Sequence, residues 1–183
     1  MTSSDGSRWA RLFADLEAQL VAAEAAERDG AVAELTRAEQ ASVPLVDRLR
    51  ASGGGRRLRV ELCDGDAVEG RVAHVATEWF QVEGSGVRGP VQHVVPVAAV
   101  VGLVGLGPYA TPSTRRTDRL GLGAALRGLQ RDRVRVQVCT RAGVTLGRIA
   151  RVGADHVDVE DVDRARPEVR VVPFAALVRV SSA

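Results

Sequence analysis

Residues 70–83 read GRVAHVATEWFQVE, and residues 147–160 read GRIARVGADHVDVE, an offset of 77. Working outward, 58–63 (LRVELC) align with 134–139 (VRVQVC) at 76, and 93–101 (HVVPVAAVV) align with 170–178 (RVVPFAALV) at 77. Over these 29 positions 15 are identical, among them Cys63/Cys139, Gly70/Gly147, Arg71/Arg148 and Glu83/Glu160. The change of offset places one added residue in the first hairpin of the second copy. Self-similarity at a fixed spacing identifies a tandem repeat and has to be recognised before the fold is assigned.

Within each copy the hydrophobic period is two, which predicts strands with one buried face. Leu58, Val60 and Leu62 alternate with Arg59, Glu61 and Cys63 in a first strand, and Asp64-Gly65-Asp66 forms a turn. Val68, Gly70, Val72 and Val75 lie in a second strand that bends at its glycine. Trp79, Phe80 and Val82 lie in a third, followed by a glycine-rich loop from Gly84 to Gly89. His93-Val94-Val95 is a short fourth strand. Pro96 opens a tight turn through Ala98, and Val100–Val104 form a fifth. A short helix precedes each set: one begins at Pro44 with Leu45, Val46 and Leu49 on its apolar side, the other runs from Asp118 to Gln130.

Before the repeats, residues 7 to about 42 read as a helix. Trp9, Leu12, Phe13, Leu16, Leu20 and Ala23 recur at three- and four-residue steps, and Val32 and Leu35 continue a thinner stripe. Asp5 or Ser7 caps its start, and Gly30 weakens its middle by about 1 kcal/mol. Such a stripe suits either a helix packed on its own domain or a coiled-coil arm. The chain thus divides into a helical arm (1–43), a first module (44–107) and a second (108–183). The fold class is α+β, mostly β.

A short helix and five bent strands, with glycine in the second and a tight turn between the fourth and fifth, resemble the Sm-like fold of Sm proteins and Hfq. The residues that carry the resemblance are LRVEL (58–62), GRV (70–72) and VVPVAAV (94–100), with VRVQV (134–138), GRI (147–149) and VVPFAAL (171–177) in the second copy. The resemblance implies two five-stranded barrels, each preceded by a short helix. The whole chain also resembles an uncharacterised actinobacterial family with a helical N-terminus and two such repeats; that likeness implies a fold and no activity. Sm proteins place an Asp six residues after the bending glycine and an Asn shortly after it. Here those positions hold Ala76 and Gly153, then Phe80 and Val157, and the chain contains no Asn. Pro96-Val97 and Pro173-Phe174 replace the basic residue and glycine of the second Sm motif. The family's base readout therefore carries over at no residue. What the resemblance does imply is assembly, because Sm modules join their fourth and fifth strands edge to edge.

Composition narrows function further. All 25 basic residues are arginine, and the net charge of +2 is too balanced for a dedicated nucleic-acid binder. No apolar run spans a bilayer and no leader pattern opens the chain, so a cytoplasmic protein is expected. Two cysteines give no disulfide framework. His74, His93 and His156 are scattered, no CxxC or HxxxH occurs, and no metal or cofactor is expected. Asp64, Asp66 and Glu69 are turn residues whose counterparts Arg141, Ala142 and Leu146 are not acidic. Without a nucleophile–base set or a phosphate loop, no enzyme activity is expected. The candidate binding residues are Arg115, Arg116, Arg119, Arg127, Arg131, Arg133 and Arg135, which gather around the linker and second short helix. They suit phosphate contacts, but the favoured reading is an exposed linker and a solvated helix face paired to the acidic arm. Trp79 and Tyr109 are too isolated for a base-stacking platform. The favoured reading is an oligomeric scaffold acting through self-association or a protein partner, and the alternative is an RNA- or DNA-binding regulator.

Overall fold

The computed structural model describes residues 4–53, 55–86, 89–161 and 168–182, with the side chains of 4–12 and 32 outside the description. The apolar stripe assigned to Trp9, Leu12 and Val32, and the caps assigned to Asp5 and Ser7, fall on those side chains. Two compact units are present, Met1–Val43 and Pro44–Ala183. The first is helix α1, Ser4–Ala41, which runs unbroken through Gly30 and carries Phe13, Leu16, Leu20 and Leu35 exposed.

The second unit holds helix α2 (Leu45–Ala51) and strands β1 (Arg57–Leu62), β2 (Ala67–Val75), β3 (Trp79–Gly86), β4 (Gly89–Pro96) and β5 (Val100–Val104). Helix α3 (Leu122–Arg131) follows, with β6 (Arg135–Thr140), β7 (Gly143–Val152), β8 (His156–Glu160), β9 (Val169–Pro173) and β10 (Leu177–Ser182). A single 3-10 turn links β4 to β5 (Val97–Ala99) and another links β9 to β10 (Phe174–Ala176). The strands of the two repeats hydrogen-bond into one antiparallel sheet in the order β5-β1-β2-β3-β4-β10-β6-β7-β8-β9, and that sheet is not closed. The two sets of five are joined by hydrogen bonding between β4 and β10, with Val180 opposite Val94 and Ser181 opposite His93.

The predicted alternation holds along β1, where Leu58, Val60 and Leu62 are buried. The glycine of the second strand is required by close approach. A Cβ on Gly70 would sit 2.2 Å from the Glu83 carbonyl oxygen, and one on Gly147 would sit 2.1 Å from that of Glu160. The pairing irregularity of β2 lies just beyond its glycine, between Val72 and His74, and that of β7 lies between Ile149 and Arg151.

Three expectations are corrected. The glycine-rich loop is mostly strand, because Gly84 and Gly86 pair with Val91 and Gly89 in a long hairpin. The second short helix starts at Leu122 and not at Asp118; Leu120 and Gly121 are extended, and Asp118 is buried in a 3-10 turn (Arg116–Arg119). The first-strand alignment shifts by two residues. Leu58 faces Gly70 as Val136 faces Gly147, and Val60 faces Leu103 as Val138 faces Val180. Structural counterparts in β1 and β6 are thus 78 apart, and the second hairpin is one residue shorter. Cys139 corresponds to Glu61, and Cys63 to Arg141. A shift of two preserves the facing of every side chain, so the apolar pattern does not distinguish the registers.

Two apolar cores result, and each draws on both halves of the sheet. The first contains Leu58, Val60, Phe80 and Val95 together with Cys139 and Val178. The second contains Leu126, Val136, Val157 and Val180 together with Ala76, Trp79 and Val94. Such shared burial makes the Pro44–Ala183 unit cooperative.

Candidate functional site

Helix α2 and the segment after β5 are tied together by a buried charge cluster. The Arg50 guanidinium lies 2.5 Å from an Asp47 carboxylate oxygen and 3.3 Å from Asp118 Oδ2, and donates to the Thr111 carbonyl at 3.0 Å. Ser113 Oγ donates to Asp118 at 3.0 Å, and Arg48 donates twice to the Gly107 carbonyl. The linker is therefore an anchored strap over 107–121. Trp79 holds its far end: the indole N–H donates to the Leu120 carbonyl at 2.9 Å, and the Thr77 backbone N–H donates to Asp118 O.

This anchoring separates the seven arginines singled out in the sequence. Arg115 lines a cleft with Arg50, His74 and Asp118. Arg116 and Arg119 are exposed in the 3-10 turn, and Arg127 lies beside Phe174 near Gly123. Arg131 and Arg133 line a different cleft, of about 590 Å³, together with Arg148. Arg135 stands directly opposite Arg148 across β6 and β7. The structure thus brings Arg131 and Arg133 to one cleft, sets Arg135 on the rung opposite Arg148, and adds Arg148, which sequence reasoning passed over. The signal for it was the identity of Arg71 and Arg148 between the copies.

The second feature is the row of junction groups between β4 and β10. His93 Nδ1 lies 2.8 Å from Ser181 Oγ, and the Gln92 backbone N–H donates to Ser182 Oγ at 3.0 Å. Arg179, mostly buried, reaches Asp66 at 2.7 Å across the junction. Burial, helped by the positive charge of Arg179, lowers the pKa of His93 below the ordinary 6.5. Below pH 6.5 the unfolded chain therefore binds more protons at His93 than the folded protein. Stability from this group is complete above that pH and falls as the pH drops through it. Urea melts between pH 7.5 and pH 5 should show a decline that is shallower in His93→Gln.

A third cleft, of about 500 Å³, lies between the two 3-10 turns and is lined by Cys63, Ala99, Arg141, Val171, Phe174 and Val178. The Arg141 Nε–H points to Cys63 Sγ at 3.4 Å. Burial raises the pKa of the Cys139 thiol, opposing its activation. Among the described residues no group of three His, Cys, Asp or Glu is placed to hold a metal ion, and no helix is long and apolar enough to cross a membrane.

The sheet ends supply the remaining feature. Among the described residues strand β5 pairs only with β1 and strand β9 only with β8, leaving an open edge at each end. Val101 and Val104 on β5, and Val169 and Val171 on β9, are exposed. In comparisons with known proteins, no family model and no curated protein matches the chain.

Proposed function

We propose that this protein is a non-enzymatic scaffold of two Sm-like modules, whose copies join by pairing the β9 edge of one with the β5 edge of the next, α1 serving as an additional contact arm. The strand order β5-β1-β2-β3-β4 and its counterpart β10-β6-β7-β8-β9 support the module reading. So do the 3-10 turns that follow Pro96 and Pro173. Three of the four positions where Sm proteins read bases are here apolar core, since Ala76, Phe80 and Val157 are fully buried. That favours contact between protein edges over base recognition.

One observation carries the assembly reading. The β4–β10 pairing is the junction between module one and module two, and its counterpart surfaces stand uncovered at the sheet ends. Val94 on β4 is 8% exposed, whereas its counterpart Val171 on β9 is 59% exposed. Val178 on β10 is 1% exposed, whereas its counterpart Val101 on β5 is 67% exposed. An unpaired, apolar strand edge is a template for another strand. Transferring the internal register sets Leu103 opposite Val171 of a second copy, and Val104 opposite Arg170. The polar latches of the internal junction have no equivalent there: Asp66 and Arg179 correspond to Gly143 and Gly102, and His93 and Ser181 to Arg170 and Val104. The outer junction then rests on main-chain pairing and apolar burial without those latches, so association is reversible and concentration-dependent.

Light scattering on the full chain over a wide concentration range tests this reading. The mass should rise with concentration, and Val171→Arg, which puts a charge on the edge without touching a core residue, should weaken association by about tenfold or more. A strict monomer at every concentration would refute the proposal.

A further inference from the structure

Arg133 has φ 52°, and it is the only non-glycine among the described residues with positive φ. It follows the α3 C-cap Asp132. Its N–H bonds to the Gln130 carbonyl at 3.1 Å while the Val134 N–H bonds to that of Leu129 at 3.4 Å. This is the helix-ending geometry in which glycine is favoured, because an L side chain there crowds the backbone. In the first module the residue after the α2 C-cap Ser52 is a glycine, Gly53, whose N–H bonds to the Arg50 carbonyl at 3.2 Å.

A second feature lies beside it: Arg131, Arg133 and Arg148 line one cleft, a local concentration of positive charge. The guanidinium groups of Arg131, Arg133 and Arg148 make no hydrogen bond or ion pair with any described residue. Glu160 faces Arg148 across β7 and β8 without forming an ion pair to it. Backbone strain and a concentration of positive charge thus coincide around one cleft.

We propose that Arg131, Arg133 and Arg148 form a binding site for the phosphodiester backbone of a nucleic acid. Each guanidinium offers a planar fork of donors matched to phosphate oxygens, and a bound polyanion relieves the mutual repulsion of the cluster. The cleft contains no aromatic side chain, only Gln130, Ile149, Ala150 and Glu160 besides its arginines. Recognition is therefore of the backbone and indifferent to base sequence. The site is independent of the β5 and β9 edges, and neither proposal rests on the other.

The test is fluorescence anisotropy of the full chain with a mixed-sequence RNA oligonucleotide, at about 50 mM and about 200 mM salt. Arg133→Gly should raise Tm by about 3 °C, since it removes the strained side chain. The same change should weaken binding at least about threefold and reduce the salt slope by roughly 0.7. Arg148→Gln, which leaves the helix end untouched, should show a similar loss of affinity, while Arg59→Ala on β1, where the arginine is ion-paired to Glu69, should bind as the unaltered chain does. Three results would overturn the proposal: no binding at low salt, unchanged binding by Arg133→Gly and Arg148→Gln, or equal affinity for poly-glutamate.

Discussion

Replacing Trp79 with alanine should destabilise the Pro44–Ala183 unit by about 3–5 kcal/mol, the range for removing a large buried aromatic. Trp79 starts β3 in the first module, yet its ring is buried with Leu122, Leu126 and Val180 of the second. Its N–H also satisfies the Leu120 carbonyl at the end of the strap. The alanine variant loses this apolar contact, leaves a cavity between the modules and frees a carbonyl that then needs water. Trp79→Phe keeps most of the area and should cost far less, with about 1 kcal/mol attributable to the lost hydrogen bond. Urea denaturation followed by circular dichroism measures both, since fluorescence is compromised by removal of one of only two tryptophans. A loss below about 1 kcal/mol in the alanine variant would mean that Trp79 does not join the modules.

The second large effect is expected at the strand glycines. An alanine Cβ at Gly147 would lie 2.1 Å from the backbone oxygen of Glu160. No rotamer change relieves a clash with backbone, so β7 and β8 must part locally. Gly147→Ala should therefore cost about 3 kcal/mol, at the upper end for overpacking. Gly128 gives the opposite sign. It lies within α3, where an added Cβ would meet nothing within 4 Å. Gly128→Ala should stabilise by about 0.5–1 kcal/mol through helix propensity. Thermal melts of the two variants should move in opposite directions.

Most of the local structure was legible because the burial pattern is simple. Alternation along 58–62 and the prolines at 96 and 173 marked strands and turns where they occur. Elsewhere residue type had more than one physical cause. Gly84 and Gly86 read as loop residues, but they are in a hairpin where a Cβ would meet Glu69 O at 2.9 Å and Val91 Cγ2 at 2.6 Å. Matching Cys63 to Cys139 maximised identity, whereas the ladder sets Cys139 opposite Arg179 and the chain is offset by two more residues. Asp118 read as the first residue of a short helix, and only the fold brings Arg50 to it. The junction of β4 with β10 was one of several pairings open to these strands, since all four edge strands carry similar valine-rich faces. The arginines were visible as a cluster, but their division between strap and helix end follows from the anchoring of the strap.

The edge-pairing account is tested most directly by mixing two variants of the full chain, one carrying Val101→Arg on β5 and the other Val171→Arg on β9. Each alone lacks one edge of the proposed junction, so neither should associate through it. Together they retain one intact β5 and one intact β9, and light scattering should detect a one-to-one heterodimer that grows no further. Failure of the mixture to associate, or assembly of either single variant as extensive as that of the unaltered chain, would contradict the account.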